Sequence, residues 1–152
     1  MAENLVEKES RLSHTILSGS IKTNLGFELK LKCQTQFRIA YSVTLATKPT
    51  GSTPDLIIYP KQPLDYKNDS ARREDAPLLA IEIQSGSQST KEMVEKLEPY
   101  FYFGVKSCWI VIPNLQAILV YDSPFHYNFF HDSDILKDTV LGIELDLKKI
   151  FE

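Results

Sequence analysis

The chain has 152 residues and a formal net charge of −3, with 43% hydrophobic and 24% charged residues. This composition is that of an ordinary globular protein, which argues against disorder and against a membrane protein, and it predicts a single domain over residues 1–152. The slightly acidic balance argues against non-specific coating of nucleic acid, because such binding needs many lysine and arginine contacts to phosphates. Residues 1–10 are polar and acidic, unlike a secretory leader, so the cytoplasm is the expected compartment.

The first half of the chain predicts one long helix followed by two strands. Helical periodicity runs from about residue 3 to residue 30 and is weakened at Gly19. One stripe of this helix, at three- and four-residue spacing, holds His14, Leu17, Ile21, Leu25 and Glu28. Residues 36–47 alternate and are rich in β-branched and aromatic side chains, so they predict a strand. Residues 54–60, "PDLIIYP", predict a second strand that is bounded by prolines, and a polar loop follows.

The second half predicts a buried strand, a helix and three further strands. Residues 77–85, "PLLAIEIQS", are apolar on both faces apart from Glu82, the pattern of a strand covered on both sides. Residues 91–104 predict a helix with a kink at Pro99 and an end at Gly104. Strands are expected over residues 106–113, 115–122 and 125–131, and a short helix near the C-terminus. The order of elements predicts an α/β fold with a mixed central sheet flanked by helices.

Two strands carry a carboxylate where a buried strand disfavours one. Asp55 and Glu82 are 27 positions apart, enough for one strand, a loop and a return along an adjacent strand. If these strands pair, the carboxylates meet at one end of the sheet, where they repel and are costly to bury without a positive charge. A hard divalent cation such as Mg²⁺ supplies that charge and takes oxygen ligands, and the Ile83 carbonyl is a further candidate ligand.

This pattern resembles the PD-(D/E)XK nuclease superfamily, whose members have a restriction endonuclease-like fold. The closer resemblance is to one bacterial family of restriction endonuclease-like proteins, also described as a domain of unknown function. It covers nearly the whole chain, and its weight comes from the joint spacing of several residues. Those residues are Glu82, Ser85, Lys96, Tyr100, Gly104, Val105 and Trp109.

The resemblance implies an endonuclease that depends on Mg²⁺ or Mn²⁺ and acts on DNA, with Asp55 and Glu82 as metal ligands. Two residues after the glutamate, where the superfamily has its lysine, this chain has Gln84, which cannot carry charge. In the resembled family a lysine from the following helix substitutes for it. Lys96 matches that position, and Lys91 is the second candidate. Gln84 could hold a water or a substrate oxygen but could not replace an ammonium group.

The remaining site candidates have ordinary structural explanations as well. His14 matches a position where the family often has histidine, and it is also compatible with a partly buried helix residue. Glu28 could approach the acids as an additional ligand or be a charge at a helix end. Asp55 could be an ordinary acid at a strand entry. Lys96 could be a solvated lysine paired with Glu92.

Two other functions remain open on the sequence. A catalytically inactive nuclease-fold module could bind nucleic acid or a protein partner, as Gln84 suggests. Ile112 stands where the family usually has an aspartate, which also favours an inactive module. Alternatively, the aromatic run "FHYNFF", residues 125–130, could form the subunit contact of a homodimer.

Overall fold

The computed structural model describes residues 14–152. Helix α1 spans Ile16–Cys33, and Thr15 caps it by accepting a hydrogen bond from the Ser18 N–H at 3.1 Å. The helix runs unbroken through Gly19, as predicted. Its predicted start near residue 3 lies outside the described residues. His14 precedes the cap and is exposed, so the placement of His14 on the helix stripe is wrong, because the threonine cap starts the helix after it.

Six strands form one mixed sheet in the order β1-β2-β3-β4-β5-β6. The strands are β1 (Phe37–Tyr41), β2 (Leu56–Pro60), β3 (Leu79–Ile83), β4 (Ser107–Ile112), β5 (Ala117–Ser123) and β6 (His126–His131). All neighbours are antiparallel except β3 and β4, which are parallel. Two helices, α2 (Thr90–Glu95) and α3 (Leu97–Phe103), form the crossover that parallel strands require. The predicted mixed sheet flanked by helices is confirmed.

The helix predicted over residues 91–104 is interrupted at Lys96 instead of Pro99. Proline has no N–H to donate to the Glu95 carbonyl, so the hydrogen-bond ladder ends one turn before it. Pro99 then lies in the first turn of α3, where its missing donor costs little. Gly104 ends α3 with a left-handed φ of 118°, as predicted.

The C-terminal region contains more strand than the sequence indicated. A second sheet pairs β7 (Ile135–Asp138) with β8 (Ile143–Asp146), and α4 (Leu147–Ile150) follows. The short terminal helix was predicted and β7 was not, because four residues are too few to show a period. The first strand is also shorter than the predicted residues 36–47, since the chain leaves it at Ser42 with a φ of 54°.

Two hydrophobic clusters lie on opposite faces of the six-stranded sheet. One joins α1, α4 and the second sheet to residues such as Ile81 and Trp109. The other joins α2 and α3 to residues such as Ala80 and Ile110. The central strands are therefore covered on both sides, as their continuous apolar runs predict.

Strand β6 forms one edge of the large sheet and carries the aromatic run considered for a dimer contact. Phe125, Tyr127 and Phe129 are all exposed there. Among the helices described, none is long and apolar enough to span a bilayer.

Candidate active site

The pairing of β2 with β3 places the two acids opposite each other. Leu56 pairs with Ile81 in an antiparallel register, so one further step along each strand brings Asp55 opposite Glu82. Directly opposed residues project from the same face of a sheet. Asp55 lies just before β2, where its carbonyl accepts a hydrogen bond from the Ser42 N–H at 3.1 Å. Both carboxylates therefore lie at one end of the central strands.

Ile83 joins Asp55 to the neighbouring strand. The Ile83 N–H donates to Asp55 Oδ2 at 2.7 Å. In a strand, the N–H and C=O of one residue point to the same side, so the Ile83 carbonyl also faces the end of β2. The pairing of β2 with β3 ends at Leu56 and Ile81, and Pro54, two residues before Leu56, has no N–H that could extend it to Ile83. Pro54 thus leaves the Ile83 carbonyl oxygen without its usual ladder partner, next to the two carboxylates.

Glu82 is buried and both of its carboxylate oxygens have partners. The Tyr100 hydroxyl donates to Oε1 from α3. Lys96 Nζ lies 3.4 Å from Oε2, and it comes from the junction between α2 and α3. Burial raises the pKa of Glu82, the Lys96 charge and the Tyr100 hydrogen bond act in the opposite direction, and the Asp55 charge raises it again.

Asp55 is held in a similar electrostatic environment. Burial raises its pKa, whereas the Ile83 N–H and the charges of Lys22 and Lys96 lower it. Lys22 comes from α1, where its Nζ donates to Ser42 Oγ at 3.0 Å and lies 5.2 Å from the centre of the Tyr41 ring. Two ammonium groups from different helices therefore act on the acid pair.

Sequence reasoning missed Lys22 altogether and missed the role of Tyr100, which it named only as part of the family resemblance. Lys22 has no local motif, and its only signal was its position beside the buried residue Ile21 on α1. Tyr100 was interpreted as a core residue. It is indeed buried, but its hydroxyl is a direct partner of Glu82.

The structure separates the other candidates from the acid pair. Lys91 is exposed and pairs with Glu95 at 3.9 Å, so Lys96 is the lysine that reaches the acids. Gln84 donates its side-chain amide to the Gln88 carbonyl at 3.0 Å. Glu28 is buried in α1, about 9 Å further along the helix than Lys22 at 1.5 Å per residue.

Within residues 14–152, no cluster of three or more histidine, cysteine, aspartate or glutamate side chains could hold a metal ion. Neither Glu28 nor His14 therefore completes a carboxylate and imidazole cluster with Asp55 and Glu82. Any cation at this position would have two carboxylate ligands, and its remaining ligands would be backbone oxygens, water or substrate.

The six-stranded mixed sheet, its parallel crossover and its flanking helices define an α/β protein with two acids paired at one end of the sheet. Residues 11–148 match the model of the Uma2 family, described as "Putative restriction endonuclease", and the chain belongs to this family. The predicted resemblance is therefore confirmed at the level of the family.

One solved structure shows the same fold. It is described as a "putative nuclease belonging to DUF820" from Anabaena variabilis ATCC 29413. The TM-score is 0.76 at 16% sequence identity, covering 90% of this chain and 81% of that one. At this identity the similarity concerns the fold alone. No curated protein matches the chain.

Proposed function

We propose that this protein is a divalent-metal-dependent endonuclease that hydrolyses phosphodiester bonds in DNA. The observation that carries the proposal is the register that places Asp55 opposite Glu82, with Lys96 Nζ 3.4 Å from the Glu82 carboxylate. Membership of a family of restriction endonuclease-like proteins supports the same reaction class.

The residues at this site fit a hard divalent cation. Burial raises the pKa of both carboxyl groups, which means that their negative charges lie where the protein solvates them poorly. The Ile83 carbonyl adds a third oxygen without a ladder partner. Mg²⁺ or Mn²⁺ held by Asp55, Glu82 and the Ile83 carbonyl would bind a phosphate oxygen and lower the pKa of a coordinated water.

Each of the neighbouring side chains then has a specific role. Lys96 would place its ammonium group beside the phosphate oxygens, where negative charge increases in the transition state. Tyr100 holds Glu82 Oε1 by donating its hydroxyl proton and so restricts the orientation of the carboxylate. Lys22 supplies positive charge on the Asp55 side and would attract the phosphate backbone to this end of the sheet.

Gln84 supports a second candidate, a nuclease-fold module that binds nucleic acid or a protein without cleaving. Gln84 is neutral, and its amide is engaged by the Gln88 carbonyl. In this case nucleic acid would bind without any metal-dependent hydrolysis.

Cleavage assays with matched variants separate these candidates. Single- and double-stranded DNA and RNA would be incubated with the protein in Mg²⁺ and in Mn²⁺. We expect Glu82→Gln and Lys96→Ala to reduce the cleavage rate by about 10²-fold or more, as loss of one stabilising group in an active site does. Lys91→Ala, which removes an exposed lysine from the same crossover, is expected to leave the rate unchanged. A Glu82→Gln variant that cleaves at the wild-type rate would contradict the proposed site.

Thermal unfolding tests the metal site without relying on activity. Saturating Mn²⁺ should raise the melting temperature of the wild type, since a ligand at 100 times its dissociation constant adds about 2.7 kcal/mol of stability. The same Mn²⁺ concentration should raise the melting temperature of Glu82→Gln much less. Equal shifts in both proteins would place the cation elsewhere.

A further inference from the structure

A cavity of about 550 Å³ lies beside the acid pair on the same face of the sheet. Alternate residues of β1 and β2 form its floor, because side chains two positions apart project from one face of a strand. These floor residues are Arg38, Ala40, Ile57 and Tyr59, and Ser42 lines the cavity just past the end of β1. Asp55 continues the same alternation two positions before Ile57. The cavity is therefore an extension of the site towards the β1 edge.

Ser42 connects the cavity to the acids. It lines the cavity, its N–H donates to the Asp55 carbonyl, and its hydroxyl accepts a hydrogen bond from Lys22. A nucleic acid strand with one phosphate at Asp55 and Glu82 would therefore have its neighbouring nucleotide next to this opening.

Arg38 supplies a buried donor that the described residues leave unused. Its Nη2 donates to the Gln62 carbonyl at 2.7 Å. Among buried side-chain nitrogen and oxygen atoms of residues 14–152, Arg38 Nε is the one without a hydrogen-bond partner. Nε is itself shielded from solvent, so a ligand in the cavity would meet the Arg38 guanidinium where it lines the opening and not at Nε.

The rest of the lining favours a nucleobase over a bare phosphate. The loop above the floor contributes the carboxylates of Asp65 and Asp69, which would repel an anion, and the Arg73 guanidinium in the lining is paired with Asp75 at 2.8 Å. Asp65 already accepts hydrogen bonds from the Lys67 and Asn68 N–H groups, whereas none from residues 14–152 engages the Asp69 side chain. A base edge offers acceptors for arginine and amino groups for a carboxylate. Ile57 and Leu64 add apolar surface for the base face.

We propose that this cavity takes the base of an unpaired nucleotide adjacent to the scissile phosphate, so that the substrate is single-stranded or locally unpaired nucleic acid. The inference rests on the proposed nuclease function. The cavity volume falls within the range of about 300–1,000 Å³ that small-molecule sites have. A base within a duplex could not enter the cavity, because its pairing edge is occupied and its faces are stacked.

Binding measured by fluorescence anisotropy in EDTA tests this inference without cleavage. The probes are a labelled ten-nucleotide single strand and a blunt duplex of the same sequence. We expect the wild type to bind the single strand at least about tenfold more tightly than the duplex. Arg38→Gln should bind the single strand about tenfold more weakly than the wild type, as expected for the loss of one arginine contact to a base. Arg72→Gln is the matched control, because Arg72 is exposed, lies outside the cavity and contacts the Thr50 carbonyl. It is expected to stay within about twofold of the wild type in this assay.

A second variant tests the inference independently in case Arg38→Gln does not fold. Asp69 is exposed in the loop, so Asp69→Asn should fold normally. In this variant, deoxycytidine monophosphate should compete less well with the labelled single strand than it does in the wild type. Glu74→Gln, at another exposed position, is the control. Inorganic phosphate should compete poorly. Equal competition by phosphate, equal affinity for the duplex, or equal losses in Arg38→Gln and Arg72→Gln would each overturn the inference. Single-strand binding without cleavage in Mg²⁺ or Mn²⁺ would instead contradict the nuclease function alone.

Discussion

At the scale of single residues, Glu82 dominates the electrostatics of the site. It is 8% exposed, and the Lys96 ammonium and the Tyr100 hydroxyl are its partners. A buried carboxylate is stable only where charge and hydrogen bonds offset its lost hydration. Because burial still raises its pKa, Glu82 is incompletely compensated in the protein without a cation.

We expect Glu82→Gln to be more stable than the wild type at neutral pH in EDTA. Burial raises the Glu82 pKa in the folded protein. The stability that the protonated carboxyl contributes is therefore fully present below the unfolded pKa of 4.5 and is lost as the pH rises through the folded pKa. The melting temperature of the variant should exceed that of the wild type at pH 7, and the difference should shrink as the pH approaches 4.5. Thermal unfolding followed by circular dichroism measures both.

Glu144→Gln, at an exposed position of β8, is the control for that comparison and should show no such trend. Parallel stability curves for the wild type and Glu82→Gln across the pH range would show that Glu82 is adequately solvated, contrary to the expectation.

Tyr100 and Tyr102 form a matched pair that isolates one buried hydrogen bond. Tyr100→Phe removes the donor to Glu82 Oε1 and leaves that oxygen unpaired, at an expected cost of about 1–3 kcal/mol in the free energy of unfolding. The Tyr102 side chain is 87% exposed, so Tyr102→Phe should change it by less than about 0.5 kcal/mol. Urea denaturation measures both values. Equal costs in the two variants would mean that the Tyr100 hydroxyl contributes nothing through Glu82.

At the scale of secondary-structure elements, the break between α2 and α3 positions the lysine of the site. The N–H missing at Pro99 ends the α2 ladder, and Lys96 at the junction extends its side chain to Glu82. Lys91, five residues earlier on α2, pairs with Glu95 on the surface. The helix break thus distinguishes two lysines that sequence spacing alone left as alternatives.

Helix α1 contains two glycines whose replacement should have opposite effects. A Cβ at Gly19 meets nothing within 4 Å, so Gly19→Ala should stabilise the protein by roughly 0.5–1 kcal/mol through helix propensity. A Cβ at Gly26 would clash with the Tyr41 ring, so Gly26→Ala must displace that ring and should lose this gain. Denaturant unfolding gives both values. A Gly26→Ala variant as stable as Gly19→Ala would show that Tyr41 moves aside freely.

At the scale of the whole molecule, the two hydrophobic clusters share the strands of a single sheet. Neither face can lose its cover without exposing strands that also support the other face. The acid pair, Lys22 and Lys96 depend on both layers, because α1 and the α2 and α3 crossover pack on opposite faces. Integrity of the site therefore requires the complete fold.

We expect a single cooperative unfolding transition for the whole chain. Calorimetry should give an unfolding enthalpy of about 100 kcal/mol near 60 °C, at roughly 0.7 kcal/mol per residue, equal to the van't Hoff value. Two resolved transitions, or a van't Hoff enthalpy well below the calorimetric one, would show that β7, β8 and α4 unfold separately from the main sheet.

The sequence by itself determined the order of the six strands of the large sheet, the buried β3 with its anomalous Glu82, the candidate Asp55 and the resemblance to a nuclease family. These features depend on local periodicity and on spacing within short segments, which the chain shows directly. The family resemblance also limited the lysine expected near Glu82 to two candidates, Lys96 and Lys91.

Only the tertiary structure decided which groups meet. The register of β2 and β3 placed Asp55 opposite Glu82, the helix break selected Lys96, and the packing of α1 brought Lys22 to the acids. The cavity beside Ser42, with Arg38 in its lining, likewise depends on strands and loops that are distant in the chain. The physical reason is that strand register and layer packing depend on the free energy of the complete core, and a short segment contains only a part of that core.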